Sequence, residues 1–284
     1  MEGSTGRLRV TDDTFTKWLC VPVPPIVEQR SIVRILEVVD TAIERTRTAI
    51  DKAKRLKKGL TQNLIPSGRF PKSWQVFPLR EIAEVGSGVT LGKNLEGSST
   101  VRLPYLRVEN VQDGFLDLTT IKQVKVRTNE VERYLLQPGD VLMTEGGDLD
   151  KLGRGCVWHG EITPCLHQNH IFRVRPNNTI LDPDYLEAVI CSSYGKRYFM
   201  RIAKRTTNLA SINKTQLKAF FVPCPSLDEQ RRIVEILSAA QTRINAEENH
   251  CAIFNRLKRG LMQDLLTGKV RVGNGVLAAK GNSV

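Results

Sequence analysis

The sequence predicts an α+β fold. One α/β domain with a twisted, largely antiparallel sheet is flanked by two long helices that pair as an antiparallel coiled coil. Three observations carry this. A stretch near the start, Thr14–Leu64, recurs as Thr215–Leu265 without a gap at an offset of 201 residues, with roughly twenty identities in about fifty positions; a supersecondary unit repeated so far apart implies a symmetric scaffold around something else. Both copies are apolar at alternating three- and four-residue steps, the pattern of a helix with one buried seam. Between them the texture changes to short β-like runs broken by turn signals.

Residues 1–27 form a proline-rich entry. Thr14 and Lys17 match Thr215 and Lys218, which close the middle domain, so the first thirteen residues look like the stub of a second insert. Each repeat opens on an extended segment, Pro22-Val-Pro24-Pro25 or Pro223-Cys-Pro225. Proline fixes φ and turns its predecessor away from helix, so each helix starts after it. Glu28-Gln29 and Asp228-Glu229-Gln230 then place carboxylates at the positive end of a helix.

The first helix is expected over 28–66, with a seam of Leu36, Val39, Ile43, Ile50, Ala53, Leu60 and Leu64 that skips Thr46 and Lys57. The second, over 224–268, carries Leu237, Ala240, Ile244, Cys251, Phe254, Leu261 and Leu265 in the same slots and skips Glu247 and Lys258. Each would span about 55 Å at ~1.5 Å per residue. A helix with one apolar stripe needs a partner, and the repeat supplies it. An antiparallel pair follows because the middle domain must leave one helix and enter the other; pairing between chains is the rival arrangement.

The middle domain, 67–223, has β-like runs at Val76–Pro78, Tyr105–Val108, Val141–Thr144, Cys156–His159 and Ile171–Val174. Gln112-Asp-Gly114, Gln137-Pro-Gly-Asp140 and Gly146-Gly-Asp148 mark turns between them. Helices are expected at Pro183–Arg201 and Asn213–Ala219, and a flexible tail over 269–284.

Composition sets outer bounds. The chain has 284 residues, 40% apolar and 25% charged, with a formal net charge of +12. That balance favours a polyanionic partner; a merely basic soluble protein is the plainer reading. No apolar run approaches the ~20 residues that span a bilayer, and the N-terminus lacks an apolar signal core, so a cytoplasmic location is expected. Cys20, Cys156, Cys165, Cys191, Cys224 and Cys251 form no CxxC pair and read as free thiols of a reducing compartment.

These features resemble the specificity subunits of type I restriction–modification systems. The resemblance rests on the paired Pro-x-Pro…Glu-Gln…Ile-Val…Leu helices, each ending in Lys/Arg-Gly-Leu-x-Gln-x-Leu, and on Thr207-Asn-Leu-Ala-Ser-Ile-Asn-Lys214. Leu103-Pro-Tyr-Leu-Arg-Val-Glu-Asn-Val111 and Pro138-Gly-Asp-Val-Leu142 add to it, and the likeness runs from about residue 14 to 270. It implies a non-catalytic reader of double-stranded DNA, with 67–223 as its target-recognition domain. Its partners would be modification (methyltransferase) subunits that use S-adenosylmethionine and, through them, a restriction/translocase subunit using ATP and magnesium. The chain itself would need no cofactor or metal. Such subunits ordinarily hold two recognition domains. One domain plus a stub resembles a half-length form, which implies a second copy of the chain or a longer specificity subunit as a further partner. The sequence shows no Asn-Pro-Pro-Tyr methylation motif, Walker loop or Pro-Asp…Asp/Glu-x-Lys nuclease core.

Base readout needs forked donors and acceptors on loops, while Lys and Arg hold phosphates. The richest candidate is Thr144–Arg154, where Asp148 and Asp150 suit cytosine amino groups and Lys151 or Arg154 suits guanine; an ordinary hairpin with charged tips is the plainer reading. In His167-Gln168-Asn169-His170 the two amides suit adenine. His159, His167 and His170 also raise an HNH-like metal nuclease, but positions i and i+3 of a strand point to opposite faces. Buried anchoring or DNA contact is favoured over metal. Lys204, Arg205, Thr206, Asn208, Ser211, Asn213 and Lys214 form a phosphate-clamp candidate, nearly balanced by a solvated turn. The glycine-rich loop Gly86–Lys93 offers Lys93 to the backbone. The run Lys52–Lys58 reads as a solvated face, with a phosphate or subunit contact as the alternative. Leu36, Val39, Ile43, Ile50, Leu60, Leu64, Leu237, Ile244, Phe254, Leu261 and Leu265 are the candidate coiled-coil and subunit-docking residues. A stand-alone or decayed DNA-binding module competing for methyltransferase partners is the alternative function.

Overall fold

The computed structural model describes residues 22–92, 94–147, 152–206 and 209–272. The chain divides into two compact units, one drawn from residues 1–54 and 242–284, the other from 55–241. Helix α1 spans Ile26–Leu64 and helix α7 Leu227–Leu266, each starting within two residues of a proline that cannot donate to the preceding turn.

In the first unit the two helices run antiparallel. Asp40 pairs with Lys258 at 2.5 Å and Lys54 with Glu248 at 2.7 Å, so numbers rise on one helix as they fall on the other. Val39, Ile43, Ala53, Ile244 and Leu265 are buried, and Leu36, Ile50, Phe254 and Leu261 half-buried. Thr46, which the apolar pattern skips, is buried too, its hydroxyl donating to the Ala42 carbonyl at 2.8 Å. A hydroxyl satisfied by its own helix can occupy a seam. Glu28, in the first turn of α1, accepts from Arg271 Nε and Nη2 and from the Val272 amide.

In the second unit Leu60, Leu64, Ile233 and Leu237 join the main core. The other skipped position, Lys57, donates to Gln241 Oε1 at 2.7 Å, and a lysine stem beside a seam keeps its head on a polar partner. Positions 57 and 241 become 258 and 40 at the 201-residue offset, so the Lys57–Gln241 and Lys258–Asp40 bonds are one contact made twice. The same holds for Gln29 Nε2 to Pro24 O at 2.8 Å and Gln230 Nε2 to Pro225 O at 2.9 Å. The repeat is therefore a repeat of interactions as well as of letters.

The rest of the second unit is a mixed domain with four small sheets. β1 (Gln75–Pro78) pairs with β12 (Phe221–Cys224) and closes the domain between the helices. β2 (Ala83–Ser87), β9 (Ile171–Pro176), β5 (Asp140–Thr144) and β7 (Gly155–Trp158) form an antiparallel sheet in that order. β3 (Thr100–Leu106) lies between antiparallel β4 (Lys122–Arg127) and parallel β8 (Leu166–His167). β6 (Gly146–Gly147), β10 (Lys204–Arg205) and β11 (Ala210–Ser211) make an antiparallel ribbon in the order β10-β11-β6. Among the described residues every ladder but β3·β8 is antiparallel, as expected, with the pairing divided among four small sheets.

Four-residue turns α2 (Leu79–Ile82) and α3 (Val131–Tyr134) connect strands. The stretch expected to be helical over Pro183–Arg201 forms two helices, α4 (Pro183–Cys191) and α5 (Ser193–Ile202). Buried Ser192 divides them: its hydroxyl donates to Val189 O at 2.6 Å and accepts from the Gly195 amide at 3.3 Å, ending one helix and capping the next. α6 (Lys214–Lys218) follows β11. No described helix is long and apolar enough to cross a membrane.

Candidate nucleic-acid interface

The surface of interest is assembled on the β10-β11-β6 ribbon. Gly146 and Gly147 pair with Ser211 and Ala210. A Cβ on Gly146 would lie 2.7 Å from the Ala210 carbonyl, so glycine permits this approach of two backbones. Because the pairing is antiparallel, Gly147, Ala210 and Arg205 lie at the same end of the ribbon. Glu145 joins a third segment: its amide donates to His170 O and its carbonyl accepts from the Ile212 amide, both at 2.9 Å. His170 Nδ1–H donates to Glu145 Oε2 at 2.6 Å. Three stretches far apart in sequence, Glu145–Gly147, His170 and Ala210–Ile212, thus meet.

Asp148, Asp150, Lys151, Asn208 and Lys93 lie outside the described residues. Lys204, Arg205 and Thr206 are exposed. Arg205 Nη2 donates to Met200 O at 2.7 Å, and Thr206 closes the hairpin by donating its amide to Leu209 O at 2.8 Å. Arg154 is half-buried, its Nη1 donating to Gln112 Oε1 at 2.9 Å. Gln168 and Asn169 are half-buried on the turn into β9. The Gln168 carbonyl oxygen accepts from the Val108 amide at 3.3 Å, which leaves its amino group to donate. No side-chain bond holds Asn169 among the described residues.

Two candidates have internal duties. His167 is fully buried, so its side chain cannot reach a duplex, and the other reading of it, buried anchoring, matches its geometry. Its Nδ1–H donates to Tyr134 O at 3.1 Å, and burial pushes its pKa down to about 4, with the Arg173 and Arg175 guanidiniums adding to the shift. Asn213 caps α6. Its Oδ1 accepts from the Gln216 amide and Gln216 Oε1 accepts from its own amide, both at 2.9 Å, a reciprocal box legible in Asn-x-x-Gln. Lys214 beside it is half-buried, and burial, with Lys218, Arg133 and Arg173 nearby, holds its pKa below the ordinary value. The three clustered histidines separate: among the described residues no group of three metal-ligating side chains forms.

Sequence reasoning missed the Glu145–His170 pair, whose signal was only a polar residue before two glycines. The glycine-rich loop, a candidate for tracking the DNA backbone, has a packing role as well. A Cβ on Gly88 would lie 1.9 Å from the His167 carbonyl, and Val89 bridges to Gln168, so Gly88 serves close packing against the β8–β9 turn. The two domain motifs are anchors as well. In Leu103–Val111, buried Asn110 accepts from the Arg107 amide and donates to the carbonyls of Asp117 and Thr120. In Pro138–Leu142, buried Asp140 accepts from the Gln137 amide and from two guanidinium nitrogens of Arg175 at 2.7 and 2.8 Å.

A domain anchored by these two motifs and held between repeated helices matches a family model described as type I restriction modification DNA specificity domain, over residues 71–251. The chain belongs to that specificity family. It is 31% identical over 202 residues to the MjaX type I restriction enzyme specificity subunit of Methanocaldococcus jannaschii, which covers 70% of this chain and 47% of that relative. The EcoKI specificity subunit of Escherichia coli is 24% identical over 270 residues, covering 88% of this chain and 57% of its own length. The chain thus spans about half the length of these curated specificity subunits. The HsdS subunit from Thermoanaerobacter tengcongensis shares the fold with a TM-score of 0.54 at 22% identity, over 95% of this chain and 65% of that one.

Proposed function

We infer that the chain is the DNA-reading subunit of a type I restriction–modification complex. Its recognition domain reads one half of a bipartite duplex target, and its helix pair docks methyltransferase subunits and, through them, a restriction subunit. In this reading the chain is non-catalytic, and S-adenosylmethionine, ATP and magnesium act on the partners. The observation that carries the reading is the convergence of Glu145–Gly147, His170 and Ala210–Ile212 at one ribbon. Lys204 and Arg205 are exposed on that ribbon, and the amide side chains of Gln168 and Asn169, suited to base edges, immediately precede the His170 that bonds to Glu145.

Docking is supported by what recurs on the helices without an internal use. Leu56 and Leu257 occupy equivalent slots and are 59% and 48% exposed. Gly59 and Gly260, one turn on, have nothing within 4 Å of an added Cβ. Glycine inside a helix costs about 1 kcal/mol relative to alanine, so two such glycines beside exposed leucines suit the close approach of an outside partner. The helix pair then sets the distance to a second recognition domain that reads the other half-site.

Methylome sequencing with and without the gene tests this. An adenine-methylation motif with two short specific halves around a fixed spacer should vanish on deletion, and affinity-purified chain should carry an adenine methyltransferase. An unchanged methylome together with purification of the chain alone would reject the function.

A further inference from the structure

We propose that the outer face of the β3–β4 pair is a phosphate track that grips the DNA backbone alongside the reading turn. This rests on the DNA-reading function proposed above. The register sets Arg102 directly opposite Lys125 and Thr100 opposite Arg127. Val101, Leu103, Val124 and Val126 take the other parity and pack inward with Tyr105 and Leu166. Arg102 and Lys125 are exposed and Arg127 half-exposed. Among the described residues no carboxylate lies within ion-pair distance of Arg102 or Lys125.

Like charges directly opposite on antiparallel strands are destabilising, so this arrangement opposes folding unless an anion completes it. Lysines on an edge strand also guard against strand-to-strand aggregation, and β4 is the edge of its sheet. β8 pairs with β3 only at Tyr105 and Leu106, so among the described residues Arg102 has β4 as its one strand partner, and a salt series separates phosphate contact from edge protection. The strand that carries Arg102 also leads to the reading turn. β3 pairs through Tyr105 and Leu106 with Leu166 and His167, the residues before Gln168 and Asn169, so Arg102 stands about 13 Å along one strand from the turn at ~3.3 Å per residue. On β4, Lys125 and Arg127 repeat every second residue, about 7 Å apart. That is a fixed row of cations with an aliphatic floor, chemistry that fits successive phosphates and carries no base information.

The test compares the full chain with its R102Q/K125Q variant, using fluorescent duplexes of cognate and scrambled sequence over a salt series. Each phosphate contact contributes about 0.9 to the slope of log K against log salt. The variant should therefore lose about 1.8 of slope, weaken both duplexes by the same factor, and melt no lower than the parent. An unchanged slope overturns the track, and so does a loss confined to the cognate duplex. Aggregation with unchanged slope would assign the lysine to edge protection instead. If the parent chain binds no duplex at all, the DNA-reading function fails and the track with it.

Discussion

His167 shows what a single buried group does to the pH response of the domain. Its Nδ1–H is spent on Tyr134 O, and its Nε2 is buried without a partner. Protonation would bury an unpaired N–H beside two arginines. With a pKa near 4 in the fold against an ordinary value of 6.5, the unfolded chain binds the extra proton throughout that interval. Stability is therefore complete above pH 6.5 and falls as pH drops toward 4, by about 3 kcal/mol in all from this group. His167→Asn keeps an N–H donor and removes the titration. Denaturant melts at several pH values should show the variant losing less stability than the parent between pH 6.5 and 4. Equal losses would mean that the imidazole is not held neutral.

At the scale of elements, the two helices carry glycines that their own packing does not require. Gly59→Ala and Gly260→Ala should each stabilise the isolated chain by about 1 kcal/mol, because an added Cβ meets nothing. Both should weaken capture of a co-expressed methyltransferase subunit. A stability gain with undiminished capture would remove these glycines from the docking surface. The helices were legible in the sequence because the apolar period is local and strong. The two slots it skipped belong to the pair all the same, since Thr46 satisfies its hydroxyl within its helix and Lys57 reaches Gln241. The candidate interface was legible only as separate pieces. Glu145, Ile212 and His170 meet through backbone bonds between segments 25 to 67 residues apart, and no periodicity encodes such a junction. The split of α4 from α5 hung on one hydroxyl, Ser192, in an otherwise helical run.

For the whole molecule, the consequence of a paired-helix scaffold is a length. Residues 44–50 of α1 and 249–255 of α7 lie between the same two cross-helix contacts, Asp40–Lys258 and Lys54–Glu248. Excising both segments removes one heptad from each helix and returns every remaining seam position to its partner, as a repeat of seven requires. The scaffold shortens by about 10.5 Å at 1.5 Å per residue, or about three base pairs at 3.4 Å each. The recognition domain is untouched, so the bases it reads should be unchanged while the spacer between half-sites contracts by about three pairs. Methylome sequencing of cells expressing the excised chain reads both quantities from one motif. Unchanged half-sites around an unchanged spacer would show that helix length does not set the spacing. Altered half-sites would show that the deletion reached the reading surface.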